Sequence, residues 1–243
     1  MKTRAVSWPL LGACVALGAL LTACPRPPVP SDDGVGLRFS LPEGADRTNL
    51  WVAALYYPLE ADGRVGKPVV VGSTPASGYG GPNSADDVTL YLPGYALRQA
   101  RDSGKCTTPF LTGEAKGMTA VTVKPETVNT CNVTFLAYTA GNSGAAPTLD
   151  NLRYTSNDLY GYASEAFTYS FVNTNADGTR STETGERTAG WSLVRREVLN
   201  PSATPQEYRV TMNSVAKEDQ AVALKLREPR DPFRSQGLAG GRQ

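Results

Sequence analysis

Apolar and polar positions alternate in short runs along most of this chain, and a period of two is the rhythm of a half-buried strand. Residues 36–41 alternate and stop at Pro42. Residues 49–57 form a second run, closed by Pro58. Asp62-Gly63 turns the chain into residues 68–72, and a loop rich in Gly, Ser and Pro fills 72–86. Residues 87–92, 119–123 and 132–138 follow. In the second half, residues 166–172 alternate aromatic with small polar side chains. Asn175-Ala176-Asp177-Gly178 then supplies a hairpin turn, Asp-Gly being a strong turn pair. A polar return through 180–186 precedes runs at 191–198, 208–212 and 221–226. Runs rich in β-branched and aromatic residues, bounded by Gly, Pro and Asp, are the strand signature. One short helix is expected from Tyr95 to Asp102, favoured by Leu97, Arg98 and Gln99 and ended by Gly104.

Strands this short and this closely spaced predict an all-β fold, an antiparallel β-sandwich with at most one short helix. No βαβ rhythm appears, so a nucleotide-binding parallel sheet is not expected. Residues 37–140 make a first β region and 148–226 a second, in one domain or two. Residues 140–147 are the linker or long loop between them. Residues 227–243 hold Arg227, Arg230, Arg234 and Arg242 among Gly, Pro and Gln, without apolar periodicity. They read as a disordered tail, or as a docking tail.

The start of the chain differs. Lys2 and Arg4 precede an apolar segment that ends Leu21-Thr22-Ala23-Cys24. A basic start, an apolar run of secretory length and small residues before the break make an export signal. Small residues running into a cysteine resemble the lipobox of bacterial lipoproteins. That resemblance implies removal of residues 1–23, a lipid on the Cys24 thiol and an acylated (palmitate-type) new amino terminus. Plain secretion and a retained spanning helix are the other readings. Pro9 and the many Gly and Ala residues make the segment a marginal span. One acyl chain binds a bilayer only marginally, and the two or three of this family would make a durable anchor.

Residues 24–36, beginning with Cys24 and then Pro25-Arg26-Pro27-Pro28-Val29-Pro30, read as a proline-rich tether. Polyproline II rises about 3.1 Å per residue, so some ten residues hold a domain roughly 30 Å off the membrane. Recognition of the prolines by a partner is the alternative. Further on, Leu41-Pro42-Glu43-Gly44 ahead of Trp51, and Leu92-Pro93-Gly94 behind a strand, resemble transthyretin-like and immunoglobulin-like modules of secreted bacterial proteins. The resemblance covers residues 36–95 and implies a fold, not a function.

Composition removes several chemistries. There is no histidine among the 243 residues. Ser-His-Asp and Cys-His catalysis and His-ligated zinc or copper are therefore excluded, along with the usual general base near neutral pH. Loss of Lys2 and Arg4 with the signal leaves 22 basic side chains from 24, against 23 acidic ones. A net charge of −1 without a basic patch argues against nucleic acid as a partner. Of the four cysteines, Cys14 lies in the signal and Cys24 at the lipid site. Cys106 and Cys131 remain, an even pair in an exported chain, and are expected to form a disulfide. Closing a loop of about 25 residues stabilises a fold by roughly 3 kcal/mol in the chain-entropy model. A redox pair or thiolate metal ligands are the alternatives.

The remaining candidates each have a plain structural counterpart. Asn173-x-Asn175-x-Asp177-Gly178 looks like a degenerate calcium loop, but its twelfth position is Thr184 where a bidentate carboxylate belongs. A simple hairpin is the other reading, and no further cofactor is expected. Phe167, Tyr169 and Phe171 share a strand face, with Trp191 expected nearby, either stacking on a sugar or peptide or filling a core. Tyr154, Tyr160 and Tyr162 fall in an irregular, Gly-containing stretch that would offer adaptable contact area to a partner. Asp86-Asp87 and scattered Glu residues are a carboxylate pair only if a cleft brings them about 5–10 Å apart. The expectation is a non-enzymatic lipoprotein of the cell envelope, anchored on the extracytoplasmic side of a membrane as an accessory or structural subunit with an envelope protein partner. A surface binding lipoprotein with an aromatic β face is the alternative, and a carboxylate hydrolase a distant third.

Overall fold

The structure, a computed structural model, describes residues 34–58, 66–77, 87–102, 118–140, 146–174, 178, 180–199, 207–216 and 223–229. All of them lie within one compact unit, Asp32–Gln243. In chain order the elements are β1 (Val35–Ser40), β2 (Leu50–Tyr56), β3 (Val69–Pro75), β4 (Asp87–Leu92), α1 (Gly94–Asp102), β5 (Met118–Lys124) and β6 (Thr130–Thr139). They continue with β7 (Leu152–Ala163), β8 (Phe167–Thr174), β9 (Arg180–Arg187), β10 (Gly190–Leu199), β11 (Glu207–Ser214) and β12 (Leu224–Arg227). The fold is all-β with one short helix, as the alternation predicts. Its sheet is mixed rather than purely antiparallel, because β1 runs parallel to β12 and β9 parallel to β11.

The strands form a single hydrogen-bonded network that branches at β7. The main path is β3-β2-β6-β7-β10-β11-β9-β8-β5, and a side branch runs β7-β12-β1-β4. The branch packs across β2, β3 and β6 as the second layer of a sandwich. Leu37 and Phe39 of β1, Val88, Leu90 and Leu92 of β4, and Leu224 and Leu226 of β12 meet Val52, Ala54, Val71, Val133 and Phe135 in one core. Phe39 and Phe135 touch edge to face with ring centroids 4.9 Å apart, a favoured aromatic geometry. Helix α1 starts on the Pro93 carbonyl, which accepts the Ala96 and Leu97 N–H groups. It lays Leu97 and Ala100 on this core. A second core collects Phe167, Tyr169, Phe171, Val194, Val210 and Met212, together with Leu159 and Ala163 of β7 and Val128 before β6.

Tyr154, Tyr160 and Tyr162 belong to a strand and not to an irregular stretch. That strand, β7, is 12 residues long and the only described one paired with three others. Its first half pairs with β12 at Thr155 and Ser156, and its second half pairs with β10 from Leu159 to Ala163. β6 lines its other edge, skipping from Thr134↔Leu159 to Leu136↔Thr155. Residues 156–158 therefore bulge from the ladder, and a bulge sharpens local twist. There the Ser156 hydroxyl accepts the Asp158 N–H at 3.1 Å. The Asp158 carboxylate accepts the Arg196 N–H at 3.0 Å, so a side chain takes over where strand pairing stops.

The other boundaries follow the same logic. Residues 140–147 are the connection of an antiparallel β6–β7 hairpin, since those strands pair directly. Asp177-Gly178 does join an antiparallel hairpin of β8 and β9, and Gly178 holds φ +82°, the left-handed region glycine enters without penalty. Arg227 ends β12, paired with Thr155, and does not begin the tail. Residues 1–33, with the signal, Cys24 and most of the tether, lie outside the described residues, as do Cys106, Asn175, Asp177 and 230–243.

Gly161 shows how closely the two halves are fitted. A Cβ there would collide with the guanidinium of Arg187, whose side chain is buried. Gly161→Ala is expected to cost about 1–3 kcal/mol by overpacking, read as a fall in the urea unfolding midpoint without a change in slope.

Candidate functional site

Rows of side chains cross β6, β7 and β10 at one end of the sandwich. Cys131, Tyr162 and Trp191 stand in register, and one step along are Val133, Tyr160 and Leu193. Trp191 stacks on Tyr160 with centroids 5.5 Å apart and planes at 6°, and tilts against Tyr162 at 5.6 Å. The structure thus brings Tyr160, Tyr162 and Trp191 together, and Trp191 lies with these tyrosines rather than with the Phe167 stripe. Tyr160 is buried in the first core, while Tyr162 and Trp191 are half-buried. Burial also holds the Tyr160 phenol above its ordinary value. The sulfur of Cys131 is engaged in a disulfide. Between these rows, on the opposite face, lie Asn132, Gly161 and Ser192.

Tyr169 is elsewhere. It is 4% exposed in the second core, stacked between Phe167 and Phe171 at 5.9 and 6.0 Å. The stripe is core packing, and Tyr169 offers no face to a ligand. Its ring lies over Gly185, where a Cβ would run into it. Its hydroxyl donates to Glu183 Oε1 at 3.0 Å. Burial pushes the Tyr169 phenol far up, helped by the Glu183 charge.

Two further ionisable groups are buried without any signal in the sequence. Arg187 is 1% exposed, and its Nη2 donates to Asn132 Oδ1 at a long 3.4 Å. Among the described residues its Nε and Nη1 have no hydrogen-bond partner, and its guanidinium carbon lies 5.9 Å from the Phe167 centroid, within cation–π range. Burial pushes its pKa down to about 10, so it stays charged at neutral pH. Asp158, at the β7 bulge, lies 3.7 Å from Arg195. Burial raises its pKa against the opposing Arg196 N–H and the charges of Arg195 and Arg227. In sequence, position 187 looks like the end of a polar strand and position 158 like a loop acid.

The other candidates are not assembled into a centre. Asn173 sits on β8 paired with Ser181, while Asn175 and Asp177 lie outside the described residues. Among the described residues no three His, Cys, Asp or Glu side chains converge on a metal position. Asp87 lies 3.9 Å from Arg38 at the surface. A groove between the ends of β1 and β12, lined by Ser40, Pro42, Lys225, Arg227 and Glu228, is open and shallow. No described helix is long and apolar enough to cross a membrane. Comparison with protein-family models, curated proteins and solved structures returned no match.

Glu183 gives the polar core a measurable signature. Burial raises its carboxyl above the ordinary 4.5, outweighing the Tyr169 hydrogen bond and the Arg196 charge. A carboxyl raised by folding holds its proton more tightly in the folded chain. Its contribution to stability is full below pH 4.5 and is lost as pH rises through the folded value. Glu183→Gln cannot ionise, so its melting temperature should fall less than the wild type's between pH 4 and 7. At pH 7 the variant should be at least as stable, as thermal melts across that range would show.

Proposed function

We propose that this chain is a non-enzymatic lipoprotein of a bacterial cell envelope, serving as an accessory or structural subunit of an envelope assembly. The observation that carries the reading is Leu21-Thr22-Ala23-Cys24 at the end of an apolar segment behind Lys2 and Arg4. Cys24 takes the lipid, the proline-rich stretch ahead of Val35 forms the tether, shorter than the expected 24–36 because Val35 and Gly36 pair with β4, and the β unit is what the anchor presents. Support from the fold is indirect. Its buried ionisable side chains are committed to packing: Glu183 on Tyr169, Asp158 on the β7 fork, Arg187 over Gly161.

Cys106 is the partner we assign to Cys131. Helix α1 ends four residues before Cys106. Its Arg101, held above the ordinary range mainly by its hydrogen bonds to Asp102, also feels the Tyr162 phenol. Tyr162 pairs with Cys131, so the last turn of α1 lies on the Cys131 side of the fold. The second reading, a binding lipoprotein, is favoured by one observation: Trp191 and Tyr162 keep part of their rings at the surface.

Two outcomes are expected. Protein extracted from its own membranes in mild detergent should run as a large particle with reproducible partners by mass spectrometry. A lone protein in a micelle would shift weight to the binding reading. Intact-mass measurement should find acyl chains on a chain beginning at Cys24, and Cys24→Ala should lose them.

A further inference from the structure

Exposed apolar side chains gather at one end of the sandwich. Tyr57 is 40% exposed, Val69 37%, Val70 44%, Tyr91 49% and Tyr95 64%. The registers bring them to the same end. Tyr56, just before Tyr57, pairs with Val69. Gly72 backs onto the main chain of Tyr91 across the β3–β4 seam, where a Cβ on the glycine would fall 2.8 Å from the Tyr91 oxygen. Pro93 alone separates β4 from α1, where Tyr95 is open to solvent. Single exposed apolar residues are ordinary, whereas a group of them on neighbouring elements marks a contact surface.

The chain enters the fold at this end. Val35 pairs with Leu92, the last residue of β4. Gly34 lies so close under Tyr91 that a Cβ would clash with its hydroxyl. From Cys24 to Gly34 are ten residues, which at full extension reach no more than about 36 Å. A lipid on Cys24 would therefore keep this end, where the chain enters the fold, within about 36 Å of the bilayer. Tyrosine, with an apolar ring and a polar tip, is enriched at membrane–water interfaces.

We propose that the surface of Tyr57, Val69, Val70, Tyr91 and Tyr95 docks on the headgroup region of the bilayer into which Cys24 is anchored, fixing the orientation of the β unit. This rests on the lipoprotein reading above. The test uses the full chain with a bimane dye on Tyr95→Cys or, as reference, on Leu149→Cys, which is 81% exposed in the β6–β7 connection at the other end. Each is reconstituted into vesicles of phosphatidylglycerol and phosphatidylethanolamine with brominated acyl chains, and its acyl content is read by intact mass. Acylated protein quenched at least twofold more at position 95 than at 149 is the expected result. Acylated protein with equal quenching at both positions overturns the docking and leaves the anchor standing. Protein without acyl chains and without quenching at either position overturns both. A further variant, Tyr95→Ser, changes a side chain that is 64% exposed and should bring the quenching of a dye on Val70→Cys down towards the level at 149.

Discussion

Everything in this fold hangs on the backbone of β7. A strand has two edges, and each buried N–H and C=O on them needs a partner. β7 gives one edge to β6 along its length and divides the other between β12 and β10. That division lets one chain build two cores without a linker. The first core closes when the β12-β1-β4 branch packs over β2 and β6, and the second when β10, β11, β9 and β8 continue the sheet. Where the edge changes hands, strand pairing alone would leave the Arg196 N–H without an acceptor. Asp158 supplies it, and burial of that carboxylate is the cost. Arg195 and Arg227 on the two competing strands offset the cost from both sides.

The second core carries more charge than its size invites. A buried guanidinium without a carboxylate partner is unfavourable by several kcal/mol unless the site is shaped for it. Here the shape comes from glycine. Gly161 leaves the space that the Arg187 head occupies, and Gly185 leaves the space under the Tyr169 ring. In strands glycine is a weakness, since it packs nothing and costs backbone entropy. Each loss is covered by a large side chain from another strand lying over the gap, Arg187 of β9 for Gly161 and Tyr169 of β8 for Gly185. Polar groups held this tightly give register and uniqueness to the sheet. They are poorly placed for chemistry, which needs groups that reach a substrate.

Most strands are legible in the sequence because their alternation is clean. β4 reads Asp-Val-Thr-Leu-Tyr-Leu, and Val88, Leu90 and Leu92 are the buried ones. β8 and β9 are marked by Asp-Gly as well as by alternation. β7 is not legible, and the reason is physical. Ser156, Asn157 and Asp158 interrupt the alternation because they form the bulge, and Gly161 interrupts it again because Arg187 needs the room. The residues that make β7 the branch point are those that make it look like a loop. The same holds for the aromatic candidates. Spacing puts Tyr169 on one face of a strand, but only the neighbouring strands decide that the face is closed while that of Trp191 stays half open. Parallel pairing of β1 with β12 is invisible locally, since nearly the whole chain separates them.

An open sheet also has ends. Among the described residues the main path stops at β3 and β5 and the branch at β4, and an unpaired edge is a template for another chain. Both ends of the main path are broken. β3 shifts register against β2 at Ala54/Leu55 and is bracketed by Pro68 and Pro75. β5 shifts against β8 between Thr119 and Thr122, with Ala120 at φ +52°. A left-handed alanine costs about 1 kcal/mol, and its place in an edge strand gives that strain a use: the ladder turns away before a neighbour can extend it. Along β4 the main chain is shielded at Gly72 of β3 instead. Among the described residues, strand addition is thereby discouraged on all three sides, leaving side-chain surfaces rather than strand edges to make contacts.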